Sequence, residues 1–149
     1  MASDNMGKAR KRIIVAIDQS DNAEHVMKSA SELTETLDAD VTILSVIEVP
    51  SFASEGELDL AQIESEEKRI SDNHKKLIDK YFSGSAMLIE SKILHGNAAD
   101  KICEYAKNQN TSVVIIGTSG MSKLQAKLLG SVSEKVIKNC SCSVMIVRK

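Results

Sequence analysis

Residues 112–132 read SVVIIGTSGMSKLQAKLLGSV, and this stretch decides the fold class. Its first residues, 112–116, are small or β-branched and predict a short buried strand. At its other end, Ser131 and Glu134 form an S-x-x-E pattern, which predicts a helix with Ser131 as its N-cap. A glycine-bearing loop thus joins the carboxyl end of a strand to the amino end of a helix. Because the N–H groups and the helix dipole at such a junction attract negative charge, the loop predicts a site for the phosphates of a nucleotide.

Length and composition narrow the class of protein. The 149 residues suffice for one domain, which we place at residues 12–149, after a flexible polar tail at residues 1–11. The 19 basic residues are balanced by 21 acidic ones, and the few aromatic residues do not alternate with a basic stripe. Base stacking therefore lacks its usual side chains, and no nucleic-acid partner is expected.

The sequence also indicates the cellular compartment in which the protein is expected. No apolar run reaches the roughly 20 residues that a membrane-spanning helix needs. The basic start of the chain is not followed by an apolar core with a cleavage site. We therefore expect a cytoplasmic protein without a membrane partner.

Apolar periodicity divides the chain into five strands that alternate with four helices. The predicted strands are 12–18, 41–47, 86–94, 113–116 and 143–147, and the predicted helices are 21–37, 59–80, 97–106 and 131–139. Continuous apolar strands joined by helices predict parallel pairing with both faces of the sheet covered. The fold class is therefore α/β: one open, doubly wound, Rossmann-like sheet of five parallel strands in the order 3-2-1-4-5, with helices on both faces.

In this strand order, strands one and four are neighbours at the switch point, beyond which ligands of such sheets bind. Asp18 ends strand one and Gly117 ends strand four, so both should face the same crevice. Asp18 has two interpretations. It binds magnesium or a ribose hydroxyl, or it starts an Asx-type turn into the first helix. Its position at the switch point favours the first.

The cysteines and histidines form no recognisable metal or redox motif. Cys140 and Cys142 are spaced C-x-C, and we interpret them, with Cys103, as small buried residues at a helix end and a strand start. A reactive or metal-binding role is the alternative. The histidines, His25, His74 and His95, are scattered along the chain, so no metal site is predicted from them.

The glycine loop resembles the nucleotide-binding signature of the universal stress protein family, G-x-x-G-(nine residues)-G-[ST]. The matching residues are Gly117, Gly120, Gly130 and Ser131, with the spacing met at every step. The resemblance extends over almost the whole chain, from VAIDQS at residues 15–20 to VMIVRK at residues 144–149. It implies ATP, ADP or AMP as the ligand, with a magnesium ion near Asp18.

The resemblance also assigns residues to the ligand. The implied nucleotide-binding residues are Ala16, Ile17, Asp18, Val46, Gly117, Thr118, Ser119, Gly120, Met121, Ser122, Lys123, Gly130, Ser131 and Val132. The backbone of Val46 would read the adenine edge. Met121 stands where the family often has a basic residue, so Lys123 or Lys127 would supply the charge near the phosphates.

The resemblance further implies a homodimer through the last strand, residues 143–147, and a regulatory switch in the stress response. The chain lacks a GxxxxGK[ST] loop and shows no evident arginine finger, so an efficient enzyme is not expected. Slow ATP hydrolysis or self-phosphorylation is one alternative, and a nucleotide-independent dimeric scaffold is the other. A receiver domain fits poorly, because strand three ends in Leu94-His95-Gly96 without an acceptor aspartate.

Overall fold

The computed structural model describes residues 11–49, 59–118 and 129–148. Five strands and four helices alternate within them. The strands are β1 (Lys11–Ala16), β2 (Ala39–Ile47), β3 (Ile89–His95), β4 (Val113–Gly117) and β5 (Ser143–Val147). The helices are α1 (Asn22–Thr34), α2 (Leu60–Tyr81), α3 (Ala98–Asn108) and α4 (Ser131–Asn139). None of the helices in these ranges is long and apolar enough to cross a membrane.

The strands form one parallel sheet in the order β3-β2-β1-β4-β5, which confirms the predicted fold class. Successive side chains of a strand point to opposite faces, and β1 shows this directly. Ile13 and Val15 pack with α1 and α2 on one face, whereas Ile14 and Ala16 pack with α3 and α4 on the other. The central strand is therefore buried on both faces, which explains its continuous apolar sequence.

Several boundaries differ from the predicted ones. β1 begins at Lys11 and β2 at Ala39, because these two residues are paired in the parallel ladder. β3 begins at Ile89. The residue before it, Leu88, already contacts β2, because its main-chain oxygen accepts a hydrogen bond from Val41 N at 2.9 Å. α1 ends at Thr34, whose hydroxyl donates to Ala30 O at 2.7 Å. The predicted tail covers residues 1–11, of which residues 1–10 lie outside the described residues, whereas Lys11 belongs to β1.

The predicted capping box at the start of α4 is wrong. Gly130 is the N-cap and Ser131 is the first helical residue, with no capping hydrogen bond from a side chain. Glu134 N donates to Gly130 O at 3.0 Å, while the Glu134 carboxylate pairs with Lys138 at 3.1 Å. The hydroxyl of Ser133 fixes the first turn instead, because it donates to Gly117 O at the end of β4 at 2.6 Å.

The interpretation of the cysteines as small buried side chains is wrong for two of them. Cys103 of α3 and Cys140, directly after α4, form a disulfide, with Cα atoms 4.7 Å apart. Cys142 is a free, partly buried thiol. The sequence did not reveal the pair because its members are 37 residues apart and meet only when α3 packs beside α4.

Candidate functional site

A cavity of about 370 Å³ opens at the carboxyl ends of β1 and β4, at the switch point of the sheet. Its lining residues are Ala16, Ile17, Asp18, Asn22, Ala23, Val26, Leu44, Val46, Glu48, Ala98, Ile102, Ile116, Gly117, Thr118, Gly130, Ser131, Val132 and Ser133. The loops after β1 and β4 leave toward opposite faces of the sheet, and the crevice lies between them.

The structure brings together most of the residues that the sequence singled out. The predicted ones that line the cavity are Ala16, Ile17, Asp18, Val46, Gly117, Thr118, Gly130, Ser131 and Val132. The remaining predicted residues, Ser119, Gly120, Met121, Ser122 and Lys123, lie outside the described residues. The cavity is therefore built largely from the expected strand ends and from the start of α4.

Three helices begin at the cavity wall. Asn22 of α1, Ala98 of α3 and Ser131 of α4 are each the first residue of their helix, and each lines the cavity. The first N–H groups of a helix have no partner within the helix, and its dipole places partial positive charge there. The convergence of three such ends gives the cavity a main-chain environment suited to an anion.

The two ends of the glycine loop are tied together. Gly130 N donates to Thr118 O at 2.7 Å, and Thr118 N donates to Val147 O at 3.2 Å. The Ser133 hydroxyl contacts Gly117 O at 2.6 Å and Thr118 O at 3.2 Å. Ser133 is buried and was missed at the level of sequence, because a serine in a first helical turn carries no distinctive signal. These bonds fix the N-terminus of α4 against the end of β4.

Gly117 is required by packing within the protein. A Cβ atom at this position would clash with the Asn22 side-chain nitrogen and lie 2.8 Å from Val26 Cγ2. α1 therefore rests directly on the main chain at the end of β4. The glycine expected to serve a ligand also lets the first helix approach the sheet.

Asn22 is a further candidate ligand residue that the sequence did not reveal. Its side chain lines the cavity and is only 4% exposed. Its Oδ1 has no hydrogen-bond partner among the described residues. A buried polar atom without a partner is uncommon in proteins and often marks a functional position. Asn22 thus offers the cavity a polar group for a ligand.

Asp18 makes the turn that one of its two interpretations predicted. Its Oδ1 accepts a hydrogen bond from Ser20 N at 2.9 Å and another from the Ser20 hydroxyl. The carboxylate is exposed at the cavity, where Glu48 provides a second exposed carboxylate. The described residues contain no group of three or more His, Cys, Asp or Glu side chains able to hold a metal. The turn is confirmed, and the binding of magnesium or a ribose hydroxyl by Asp18 stays a prediction.

The main chain of Val46 faces the cavity side of β2. The ladder between β1 and β2 ends at Ala16 and Leu44, whereas the pairing of β2 with β3 continues to Ile47. Leu44 O accepts from Ile17 N on the β1 side at 2.9 Å. Because main-chain groups alternate in direction along a strand, those of Val46 point to the same side, beyond the end of β1.

A buried chain of hydrogen bonds ends at the main chain of Ile17, one of the residues that line the cavity. The Ser45 hydroxyl donates to Ile17 O at 2.7 Å, so the His74 Nε2, also 2.7 Å away, carries a proton and donates it to Ser45. The other nitrogen, Nδ1, then accepts from the Ser91 hydroxyl at 2.7 Å. Burial lowers the pKa of His74 from 6.5 to about 4, so the ring is neutral near pH 7. This neutral histidine braces the end of β1, a role that its isolated position in the sequence did not suggest.

Comparisons with known proteins match this architecture. Residues 9–148 fit the model of the universal stress protein family. A universal stress protein of Methanocaldococcus jannaschii, MJ0531, is 31% identical over 144 residues, which cover 93% of this chain and 82% of that protein. The universal stress protein UspA from Lactobacillus plantarum superimposes with a TM-score of 0.82 at 23% identity, over 95% of this chain and 100% of that one. A universal stress protein from Archaeoglobus fulgidus in complex with dAMP gives 0.65 at 21% identity, over 93% and 98%.

Proposed function

Because the chain belongs to the universal stress protein family, we propose that it binds an adenine nucleotide at the switch-point cavity and acts as a dimeric regulatory switch in the stress response. The ligand is ATP, ADP or AMP. The observation that carries the proposal is the convergence of the first residues of α1, α3 and α4 on one cavity. The Archaeoglobus relative with dAMP supports an adenine nucleotide as the ligand class.

The cavity suggests how the nucleotide lies. The phosphates would contact the N-terminus of α4, where Ser131 and Val132 follow the Gly130 cap, together with the loop that begins at Gly117. The adenine would lie toward Val46, whose main-chain groups point away from β3 and can bind a base edge. Ala98 and Ile102 offer an apolar wall on the α3 side. This orientation agrees with the roles implied by the family resemblance.

A magnesium ion would enter with the phosphates. Asp18 and Glu48 both line the cavity and are exposed there. Magnesium is commonly bound by one or two carboxylates together with the phosphates of its nucleotide and waters. The two carboxylates therefore suit an ion that the nucleotide brings, since within the described ranges neither belongs to a group of side chains able to hold a metal by itself.

The dimer would form through β5. This strand is an edge of the sheet, and Met145 at its centre is 38% exposed. An unpaired edge with an exposed apolar side chain is a template for a second strand. Efficient turnover is not part of the proposal, and at most slow hydrolysis or self-phosphorylation is expected. A cytoplasmic location likewise stays a prediction.

Isothermal titration with ATP and AMP tests the nucleotide site, with Ser131→Asp as the variant. An aspartate in the first turn of α4 is compatible with the helix dipole, so the fold should be kept. Its charge would oppose the phosphates, and we expect ATP to bind at least about tenfold more weakly, which corresponds to about 1.4 kcal/mol. AMP, with fewer charges, should lose less affinity.

Ser83→Asp is the matched control, because it adds the same charge at an exposed turn after α2, away from the cavity. It should bind ATP as the wild type does. Failure of the wild type to bind either nucleotide would refute the proposal and would favour the nucleotide-independent scaffold. Equal ATP affinity in wild type and Ser131→Asp would refute the placement of the phosphates at α4.

A further inference from the structure

All three cysteines of the chain lie in one corner of the molecule. Cys103, Cys140 and Cys142 pack against the same apolar cluster, on the face of the sheet that α3 and α4 cover. Cys103 and Cys140 are joined by a disulfide, and Cys142 is a free thiol two residues further along. Such clustering gives the corner the components of thiol–disulfide chemistry, although the spacing in sequence resembles no common redox motif.

The disulfide joins two helices that form one wall of the cavity. Ile102, the neighbour of Cys103 in α3, lines the cavity together with Ala98. α4 contributes its first turn to the same wall and ends one residue before Cys140. The bond therefore fixes the position of α4 relative to α3, at the end of α4 opposite to the proposed phosphate site.

The corner accommodates both oxidation states. Neither Cys103 nor Cys140 is fully buried. Val136 O lies 4.0 Å from Cys103 Sγ and would accept a hydrogen bond from the thiol of the reduced state. The buried side chain of Val136 keeps α4 packed on the cluster after the bond opens. Reduction should therefore loosen the wall without unfolding it.

We propose that Cys103–Cys140 is a reversible redox site whose state controls the freedom of the α3–α4 wall and, through it, nucleotide affinity. The reductant is a dithiol. Its thiolate attacks one sulfur of the disulfide, the S–S bond breaks, and the other cysteine leaves as a thiolate that takes up a proton. The second thiol of the reductant then attacks the mixed disulfide and releases the first cysteine. Two electrons and two protons pass to the protein, and the dithiol becomes a disulfide.

Preorganisation of the cavity determines whether reduction should strengthen or weaken nucleotide binding. With the bond closed, α3 and α4 are held in the relative position that shapes the cavity, so the ligand does not have to order them. With the bond open, nucleotide binding must restrict the freedom that the helices have gained. We expect the reduced protein to bind ATP roughly three- to tenfold more weakly than the oxidised protein. This consequence for affinity rests on the proposed nucleotide function, whereas the change in the wall does not.

Two measurements on the full-length protein test the inference. Wild type is prepared with oxidised or reduced dithiothreitol, and alkylation with mass spectrometry establishes the state of each cysteine. ATP affinity is measured by titration, and hydrogen exchange is followed for the amides of α4. The double variant C103S/C140S should behave as reduced protein under both conditions. Cys142→Ser keeps the disulfide and should respond to reduction as the wild type does.

Weaker ATP binding and faster exchange in α4 on reduction would support the inference. Faster exchange without any ATP binding in either state would refute the nucleotide function but support the redox control of the wall. Equal exchange and equal affinity in the two verified states would overturn the inference and leave the nucleotide function intact. Resistance of the native disulfide to excess dithiothreitol would also overturn it. Wild-type protein in two states provides this test even if the double variant fails to fold.

Discussion

Buried His74 should make the stability of the fold depend on pH between the pKa values that its ring has in the unfolded and the folded chain. Its side chain is fully buried between Ser45 and Ser91, and burial lowers its pKa from 6.5 to about 4. Below pH 6.5 the unfolded chain therefore takes up a proton that the folded chain refuses until about pH 4. The contribution of His74 to the free energy of unfolding is fully present above pH 6.5 and is lost as the pH falls toward 4.

The size of this loss follows from the two pKa values. Each pH unit between them contributes about 1.4 kcal/mol, so the free energy of unfolding should fall by about 2 kcal/mol between pH 7.5 and pH 5 through this one residue. Urea unfolding at the two pH values measures it. His74→Gln retains a hydrogen-bonding side chain without a titrating group, so the variant should be less stable at pH 7.5 but should lose about 2 kcal/mol less on acidification.

The difference between the pH profiles of wild type and His74→Gln separates the contribution of His74 from those of other acid-sensitive groups. Hydrogen bonds from Lys80 to Glu24 and from Arg69 to Glu66 lower the pKa of each carboxyl from 4.5, so both titrate mainly below this window and in both proteins. His25→Gln removes an exposed imidazole that contacts Arg148 O and serves as the control for the substitution itself. Parallel pH profiles for wild type and His74→Gln would refute the conclusion that burial lowers the pKa of His74.

Two further predictions concern the cavity and the edge of the sheet. Asn22→Ala removes a buried acceptor that has no partner in the described chain, so the free energy of unfolding should stay within about 1 kcal/mol of the wild type, while titration should show weaker nucleotide binding. Unchanged affinity would exclude Asn22 from the ligand site. Met145→Glu places a charge on β5 and should convert dimers to monomers in light scattering. Leu88→Glu, at an exposed apolar residue beside the opposite edge, should not, and equal behaviour of the two variants would argue against β5 as the interface.

The main elements of the fold could be predicted from short-range patterns. Continuous β-branched runs identified β1 and β4 as strands buried on both faces, and the alternation with helices gave the parallel order. Asp18 and Gly117 were expected in one crevice because each was predicted to end a strand beside the switch point. Both line the cavity, although β1 ends at Ala16, two residues before Asp18. These inferences succeeded because strand burial and βαβ handedness depend on local sequence and general topology.

The detailed arrangement of the site could not be predicted in the same way. Ser131 fits the sequence pattern of an N-cap, but the contact of Ser133 with the end of β4 helps position the helix so that Gly130 takes that place. Nothing in the sequence near Asn22 indicates that its side chain lies against Gly117. Both contacts join segments far apart in the chain, and local propensity does not encode their distances.

The sequence alone therefore determined the layers, the strand order and the edge of the sheet at which a ligand is expected, because apolar periodicity and glycine spacing act within one element or one loop. Only the tertiary structure decided which polar groups meet there. Three features arise from the packing of helices against the sheet and against each other: the partners of His74, the Asn22 oxygen without a partner among the described residues, and the Cys103–Cys140 bond. Side-chain pairing across such contacts depends on distances of a few ångströms, which the close packing of the folded interior fixes.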